Sequence, residues 1–184
     1  MKATTLLERQ HRKVESIFKK LESCDRSDRQ PLLDELANDL AAHMAIEHRF
    51  FYPLAWATLH RADARCKVDE SMILESFEEH ALAEVALKRL LATKPDDVSF
   101  EARLTALKEL IEHHVEEEEA DLFPEVEKRV DESELLAVGK QMKVAFADLL
   151  ERGYAAAIPK GDKTTADAAR RQLRASVPLD GHSR

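Results

Sequence analysis

The 184-residue chain carries an internal duplication. His43-Met44-Ala45-Ile46-Glu47-His48-Arg49-Phe50-Phe51-Tyr52-Pro53 returns as His114-Val115-Glu116-Glu117-Glu118-Glu119-Ala120-Asp121-Leu122-Phe123-Pro124. The His, the Glu four residues later and the Pro are each displaced by 71 positions, and Leu36 and Leu40 are matched by Leu107 and Ile111. Upstream of the two blocks, His11 and His80 lie 69 apart. The first helix of one half therefore resembles the first helix of the other, and so do the second helices. Two such hairpins make an all-α, up-down-up-down four-helix bundle with a pseudo-twofold axis, near which matching positions converge.

The periodicity supports that architecture. Apolar residues recur at three- and four-residue steps over four long segments. The first is expected from Thr4 to Glu22, with Leu7, His11, Val14, Phe18 and Leu21 on one face. The second runs from Arg29 to Arg61, with Leu33, Leu36 and Leu40 inward and a kink expected at Pro53. The third runs from Glu70 to Ala92, with Ile73, Phe77, His80, Leu87 and Leu90 inward. The fourth runs from Ser99 to Val130, with Leu104, Leu107 and Ile111 inward and Pro124 inside it. An additional C-terminal helix is expected from Ser133 to Tyr154, with Ser133 as N-cap and Leu136, Met142, Phe146 and Leu149 as its apolar face. The expected division is a bundle over 1–131, a helix packing on the bundle or a partner over 132–158, and a polar, poorly ordered tail over 159–184.

Charge and composition exclude several roles. The formal net charge is −8, which opposes non-specific nucleic-acid binding and docking on an anionic membrane. No apolar run is long enough to span a bilayer, and the first residues lack the apolar region of a signal peptide, so a cytoplasmic protein is expected. Cys24 and Cys66 form no close pair and read as reduced thiols. No nucleophile motif, phosphate-binding glycine loop or cysteine metal knuckle is present, and a binding protein is expected rather than an enzyme.

The chemistry lies in the inward polar residues. A His and a Glu four apart share one helix face, one turn from each other. His43 with Glu47, His114 with Glu118, and the lone His11 and His80 put four imidazoles and two carboxylates on faces that otherwise bury leucines. Such a core is costly unless something compensates, and a pair of metal ions does so. Imidazole and carboxylate both suit iron, and a bridging carboxylate holds two ions close. His113 and Glu117 offer a rival register, but only His114 and Glu118 keep the spacing to proline and continue the Leu107, Ile111 stripe.

At these residues the chain resembles the hemerythrin-like family, the HHE cation-binding domain, over roughly residues 4 to 130. The matching segments are Gln10-His11-Arg12-Lys13-Val14-Glu15, Glu79-His80 and the two His-x3-Glu-x5-Pro blocks with an aromatic before proline. The resemblance implies a four-helix bundle with a non-haem di-iron centre. It implies His11, His43, His80 and His114 as terminal ligands and Glu47 and Glu118 as bridging carboxylates. Two iron ions are the expected cofactor, and zinc or manganese suits the same donors. Oxygen-carrying members have a second His where this chain has Glu84, and some relatives have an acid where it has Met44. His48 also replaces a frequent second Glu. These departures fit a broader group that handles iron, oxygen, peroxide or nitric oxide.

The remaining candidates have stated roles. Glu84 is either a seventh ligand or the partner of a Lys or Arg. His48 and His113 are expected beside the centre or at the surface. Tyr52 lines the pocket or packs, Trp56 and Phe50-Phe51 pack, and His60 and His182 have no partner pattern. The acidic run Glu116 to Glu119 is a solvated face apart from Glu118. The expected function is binding or sensing of oxygen, peroxide, nitric oxide or iron at a di-iron site. The alternatives are a peroxide-consuming or ferritin-like di-iron enzyme, for which Glu8-x-x-His11 is the one matching motif, or a metal-free interaction module. The expected partners are a small diatomic or peroxide ligand and a second copy of the chain through the C-terminal helix.

Overall fold

The computed structural model describes residues 1–60, 70–158 and 163–176. Every regular element among them is helical. Helix α1 spans Ala3–Ser23, and a short 3-10 turn, Arg26–Asp28, leads into α2, Arg29–Ile46. A π turn at Glu47–Phe51 joins α2 to α3, Tyr52–His60. Helices α4, Glu70–Leu91, and α5, Phe100–Glu117, form the second hairpin. A second π turn, Glu118–Leu122, joins α5 to α6, Phe123–Arg129. The expected four-helix bundle is therefore present, with α1, α2–α3, α4 and α5–α6 as its staves.

The two π turns place the break more finely than the sequence did. The expected kink at Pro53 is absorbed upstream, over Glu47–Phe51. A proline ring clashes with the carbonyl four residues earlier and supplies no N–H. The turn before each proline is widened instead: the Tyr52 N–H bonds to the Glu47 carbonyl and the Phe123 N–H to the Glu118 carbonyl. Each π turn begins at the Glu of its His-x3-Glu pair, so the same distortion aims that carboxylate into the bundle.

The expected inner faces are buried. Leu7, Val14, Phe18 and Leu21, then Leu33, Leu36 and Leu40, then Ile73, Phe77, Leu87 and Leu90, and finally Leu104, Leu107 and Ile111 all lie in the core. The core is divided in two. One cluster gathers Leu7, Phe51, Tyr52, Trp56, Phe77 and Phe123, the other Phe18, Leu36, Leu87, Leu104 and their neighbours. The inward His and Glu residues form the polar layer between them.

The C-terminal part departs from expectation in its cap, its inner face and its tail, not in the presence of a helix on the bundle. Helix α7, Glu132–Arg152, packs on α1 and α2 of the same chain. Asp131, not Ser133, stands at its N-cap, with no side-chain cap; its carbonyl accepts the Leu135 N–H at 3.1 Å. Leu136 lies outside the apolar face, which buries Leu135, Gly139 and Met142. Gly139 is required: a Cβ there would sit 2.5 Å from the Met1 carbonyl oxygen and 2.8 Å from the Ala3 nitrogen. Gly153, at φ 74°, ends α7 in the left-handed region and passes to the single turn α8, Tyr154–Ala157.

The polar tail is a helix over Thr165–Ser176, here α9, which packs on α4 and buries Ala166 and Leu173. Its charged sequence hides a narrow apolar face and a side-chain N-cap. Thr164 accepts the Asp167 N–H at 3.3 Å while its hydroxyl donates to the Asp167 carboxylate at 2.7 Å. Cys66, His182, residues 159–162 and residues 177–184 lie outside the described residues, as does the His60 side chain. No helix among the described residues is long and apolar enough to cross a membrane.

Candidate metal centre

The six residues expected at the site come together. His11, His43, His80, His114, Glu47 and Glu118 are each at most 4% exposed. Their ligand atoms fall into two groups that share the carboxylates. His11 and His43 lie with Glu47 and Glu118; His80 and His114 lie with Glu47, and His114 Nε2 is 3.6 Å from Glu118 Oε2. His43 Nε2 is 3.2 Å from Glu47 Oε1 and His80 Nε2 is 3.5 Å from Glu47 Oε2, so one carboxylate reaches both halves. Glu118 Oε2 does the same from the other side, 3.5 Å from His11 Nε2.

Each imidazole is held from behind. His11 Nδ1 meets Glu119 Oε1, His43 Nδ1 meets Gln10 Oε1, His80 Nδ1 meets His48 Nε2 and His114 Nδ1 meets Glu79 Oε2, all at 2.8 Å. With an acceptor at each Nδ1, the hydrogen sits there and every Nε2 presents a lone pair inward. Two lone pairs cannot hydrogen-bond to each other. Yet His11 Nε2 and His43 Nε2 are 3.2 Å apart, and His80 Nε2 and His114 Nε2 are 2.9 Å apart. Both oxygens of Glu47 and Oε2 of Glu118 are buried without a donor. Convergent lone pairs and orphaned carboxylate oxygens are a donor set for cations, and two metal ions fit it.

The electrostatics agree at His43 and His80, whereas His114 is raised because Glu118 and Glu79 outweigh burial. Burial, then the neighbouring imidazoles, hold His43 and His80 well below the ordinary histidine value, so both stay neutral and able to coordinate. Burial and the nearby Glu118 push the Glu47 carboxyl well above its ordinary value. Bound cations would reverse that shift.

The sequence missed the supporting residues. Glu119 belongs to the acidic run read as solvated, but it holds His11 and is itself gripped by Arg12. Its own carboxyl is lowered, first by the hydrogen bond to His11. His48, expected beside the centre, holds His80, and burial takes it to about 3. Tyr52 does more than pack: its buried hydroxyl donates to Glu118 Oε1 at 3.0 Å and lies 3.3 Å from His80 Nε2. Periodicity could place Tyr52 on the inner face, but only the π turn brings its hydroxyl to the carboxylate.

Glu84 stands apart from both groups of ligand atoms. Its Oε2 accepts the Thr165 N–H at 2.9 Å and the Thr165 hydroxyl at 2.8 Å, and its Oε1 pairs with Lys88 at 3.0 Å. It anchors the start of α9. His113 and Glu117 lie off the centre as the repeat implied, with His113 exposed; together with Glu79 they form a third, outer cluster. Glu8 is exposed, away from the layer that holds His11.

The family model for the hemerythrin HHE cation-binding domain matches residues 2–126. A DNA nickase from Nostoc sp. is 23% identical over 143 residues, which cover 77% of this chain; the match spans 38% of that protein's length. The crystal structure of a hemerythrin HHE cation-binding domain-containing protein from Mycobacterium kansasii shares the fold. Its TM-score is 0.70 at 24% identity, covering 83% of this chain and 89% of that one.

Proposed function

The chain belongs to the hemerythrin HHE cation-binding domain family, and from that premise we propose that it holds two iron ions and binds a small diatomic ligand or peroxide at them. The observation that carries this reading is the inward set of four imidazole lone pairs facing three donorless carboxylate oxygens. His11 and His43 would hold one ion and His80 and His114 the other, with Glu47 and Glu118 between them. When bound, the iron pair supplies an open coordination position and the capacity to exchange electrons with oxygen, peroxide or nitric oxide.

The chain's own residues set the conditions. Glu119, Gln10, His48 and Glu79 fix the orientation of the four rings. Tyr52 fixes one oxygen of Glu118 and places a proton donor beside His80. Phe123 stacks on His11 with ring centres 5.9 Å apart and helps keep water from the layer. A cavity of about 310 Å3 between α1 and α5 is lined by His11, Val14, Phe18 and Glu119, and it gives a small ligand an approach to the centre. The exposure of Glu8 weighs against a ferritin-like oxidase, and the donorless buried carboxylates weigh against a metal-free module.

The test is metal content and colour. Untagged protein from iron-replete cells, measured by mass spectrometry, is expected to hold two irons per chain. Its visible absorption is expected to bleach with dithionite and return in air. Protein without metal, or with a single zinc, would overturn the proposal.

A further inference from the structure

A second cavity, of about 1090 Å3, opens where the first π turn meets α8 and α9. One wall is apolar, built from Ala45, Pro53, Ala156, Ile158, Ala169 and Leu173. The rest is cationic: Arg49, Lys163 and Arg171 line it, in a chain whose net charge is −8. Among the described lining residues Asp167 is the one carboxylate, and it already accepts the Thr164 hydroxyl at 2.7 Å. Among the described residues, the charged groups of Arg49, Lys163 and Arg171 meet no carboxylate; Arg49 lies over the Phe50 ring at 5.0 Å.

His48 joins this cavity to the metal layer. It lines the cavity yet is only 8% exposed. Its Nε2 accepts from His80 Nδ1, which leaves its hydrogen on Nδ1. That N–H has no acceptor among the described residues. A nearly buried donor beside three cations that meet no carboxylate among the described residues, and an apolar wall, call for an anion that also has an apolar body.

We propose that the cavity binds a small organic anion, a carboxylate on an apolar chain or ring. Its charged end accepts from His48 Nδ1 and sits among Arg49, Lys163 and Arg171. Its apolar part lies along Ala45, Pro53, Ile158 and Leu173. A carboxylate on His48 makes that ring a stronger acceptor for the His80 N–H, and so makes His80 a more basic ligand. The anion is therefore felt at the centre through His48 and His80; this second step rests on the metal reading above, whereas binding itself does not.

The experiment titrates the full, metal-replete chain with octanoate by calorimetry while following the visible absorption. Octanol and inorganic phosphate serve as comparisons. Octanoate is expected to bind once per chain and to shift the absorption band. Octanol, lacking the charge, and phosphate, lacking the apolar body, should each bind about tenfold or more weakly. Arg171→Gln should weaken octanoate about tenfold with unchanged metal content. Equal binding of octanol and octanoate, equal binding of phosphate, or no calorimetric binding overturns the anion site, whatever the state of the metal. Octanoate binding that leaves the band of iron-loaded protein unmoved overturns the coupling. If Arg171→Gln does not fold, the octanol comparison on the unaltered chain decides.

Discussion

Glu79 gives a test that the twofold axis itself controls. Its Oε2 accepts from His114 Nδ1 at 2.8 Å, and the matching position in the other half is Gln10, which accepts from His43 Nδ1 at 2.8 Å. The molecule thus contains both versions of one support, an acid on one side and an amide on the other. Glu79→Ala removes the acceptor, frees the His114 ring to rotate and lets the hydrogen move to Nε2. Loss of such a partner typically costs about 10- to 100-fold in metal affinity, about 1.4 to 2.7 kcal/mol. Glu79→Gln keeps an acceptor of the same length and should cost less than about tenfold, because Gln10 does this work already. The second contact of Glu79, 3.7 Å to the exposed His113, adds little. The assay is stepwise metal release to a chelator. Wild type and Glu79→Gln should release two ions over a similar range, while Glu79→Ala should release one ion early, from the His80 and His114 side. If Glu79→Ala keeps both ions as tightly as wild type, or Glu79→Gln is as weak as Glu79→Ala, the assigned support is wrong.

Three further outcomes are expected. Gly139→Ala forces a Cβ against the backbone at Met1 and Ala3; overpacking of this kind costs about 1–3 kcal/mol, and a melting temperature lowered by about 2–10 °C with metal content unchanged would show it. Glu84→Ala removes the acceptor for the Thr165 N–H and hydroxyl, so hydrogen exchange across Thr165–Ser176 should rise while both metal ions stay; loss of an ion instead would restore Glu84 as a ligand. In chelator-stripped protein, thermal melts against pH should pass through a maximum near neutrality. Burial lowers His43, His48 and His80, so their contribution is full above the ordinary value of 6.5 and is lost as pH falls below it. Glu47 is raised, by burial and then Glu118, and its contribution is lost as pH rises above its ordinary 4.5 toward its folded value. His114 is raised because Glu118 and Glu79 outweigh burial, and its contribution is lost as pH rises through its folded value. Three groups against two make the acid side fall; a profile flat from pH 8 to 5 would show that these groups do not sense folding.

The legible part of the molecule was the part that repeats. The 71-residue offset set the helix pairing, chose His114 and Glu118 over His113 and Glu117, and placed six residues that prove to face one another. Periodicity marks which face is buried, so Leu36 and Leu107 were secure. It does not show what a polar side chain on the edge of that face touches. Glu119 follows Glu118 by one residue and so points about 100° away from it on a regular helix. The π turn that starts at Glu118 alters that angle and brings Glu119 onto His11. Tyr52 was ambiguous for the same reason. Helix α9 was hidden because, among its described side chains, only Ala166 and Leu173 are buried, and a face that narrow leaves a charged segment looking like a tail.

The departures from twofold symmetry are where this chain becomes specific. Tyr52 stands opposite Phe123, so one side of the layer has a hydroxyl on a shared carboxylate and the other has an apolar ring on His11. His48 stands opposite Glu119, so His80 is backed by a neutral ring and His11 by a charged acid. Ala42 and Ile46 are buried in the half on which α7 packs, while their counterparts His113 and Glu117 are exposed and half-buried. The two additional helices follow the same division: α7 lies on the first hairpin and α9 on α4 and the first π turn. A symmetric pair of ligand sets would give two equivalent metal positions. Each set has one charged and one neutral support, Glu79 and His48 on one side and Glu119 and Gln10 on the other; the sides differ in the Tyr52 hydroxyl at one, and in the Phe123 ring and the cavity between α1 and α5 at the other. A ligand that approaches His11 through the smaller cavity and one that reaches His48 through the larger would therefore meet the same centre from two unlike sides.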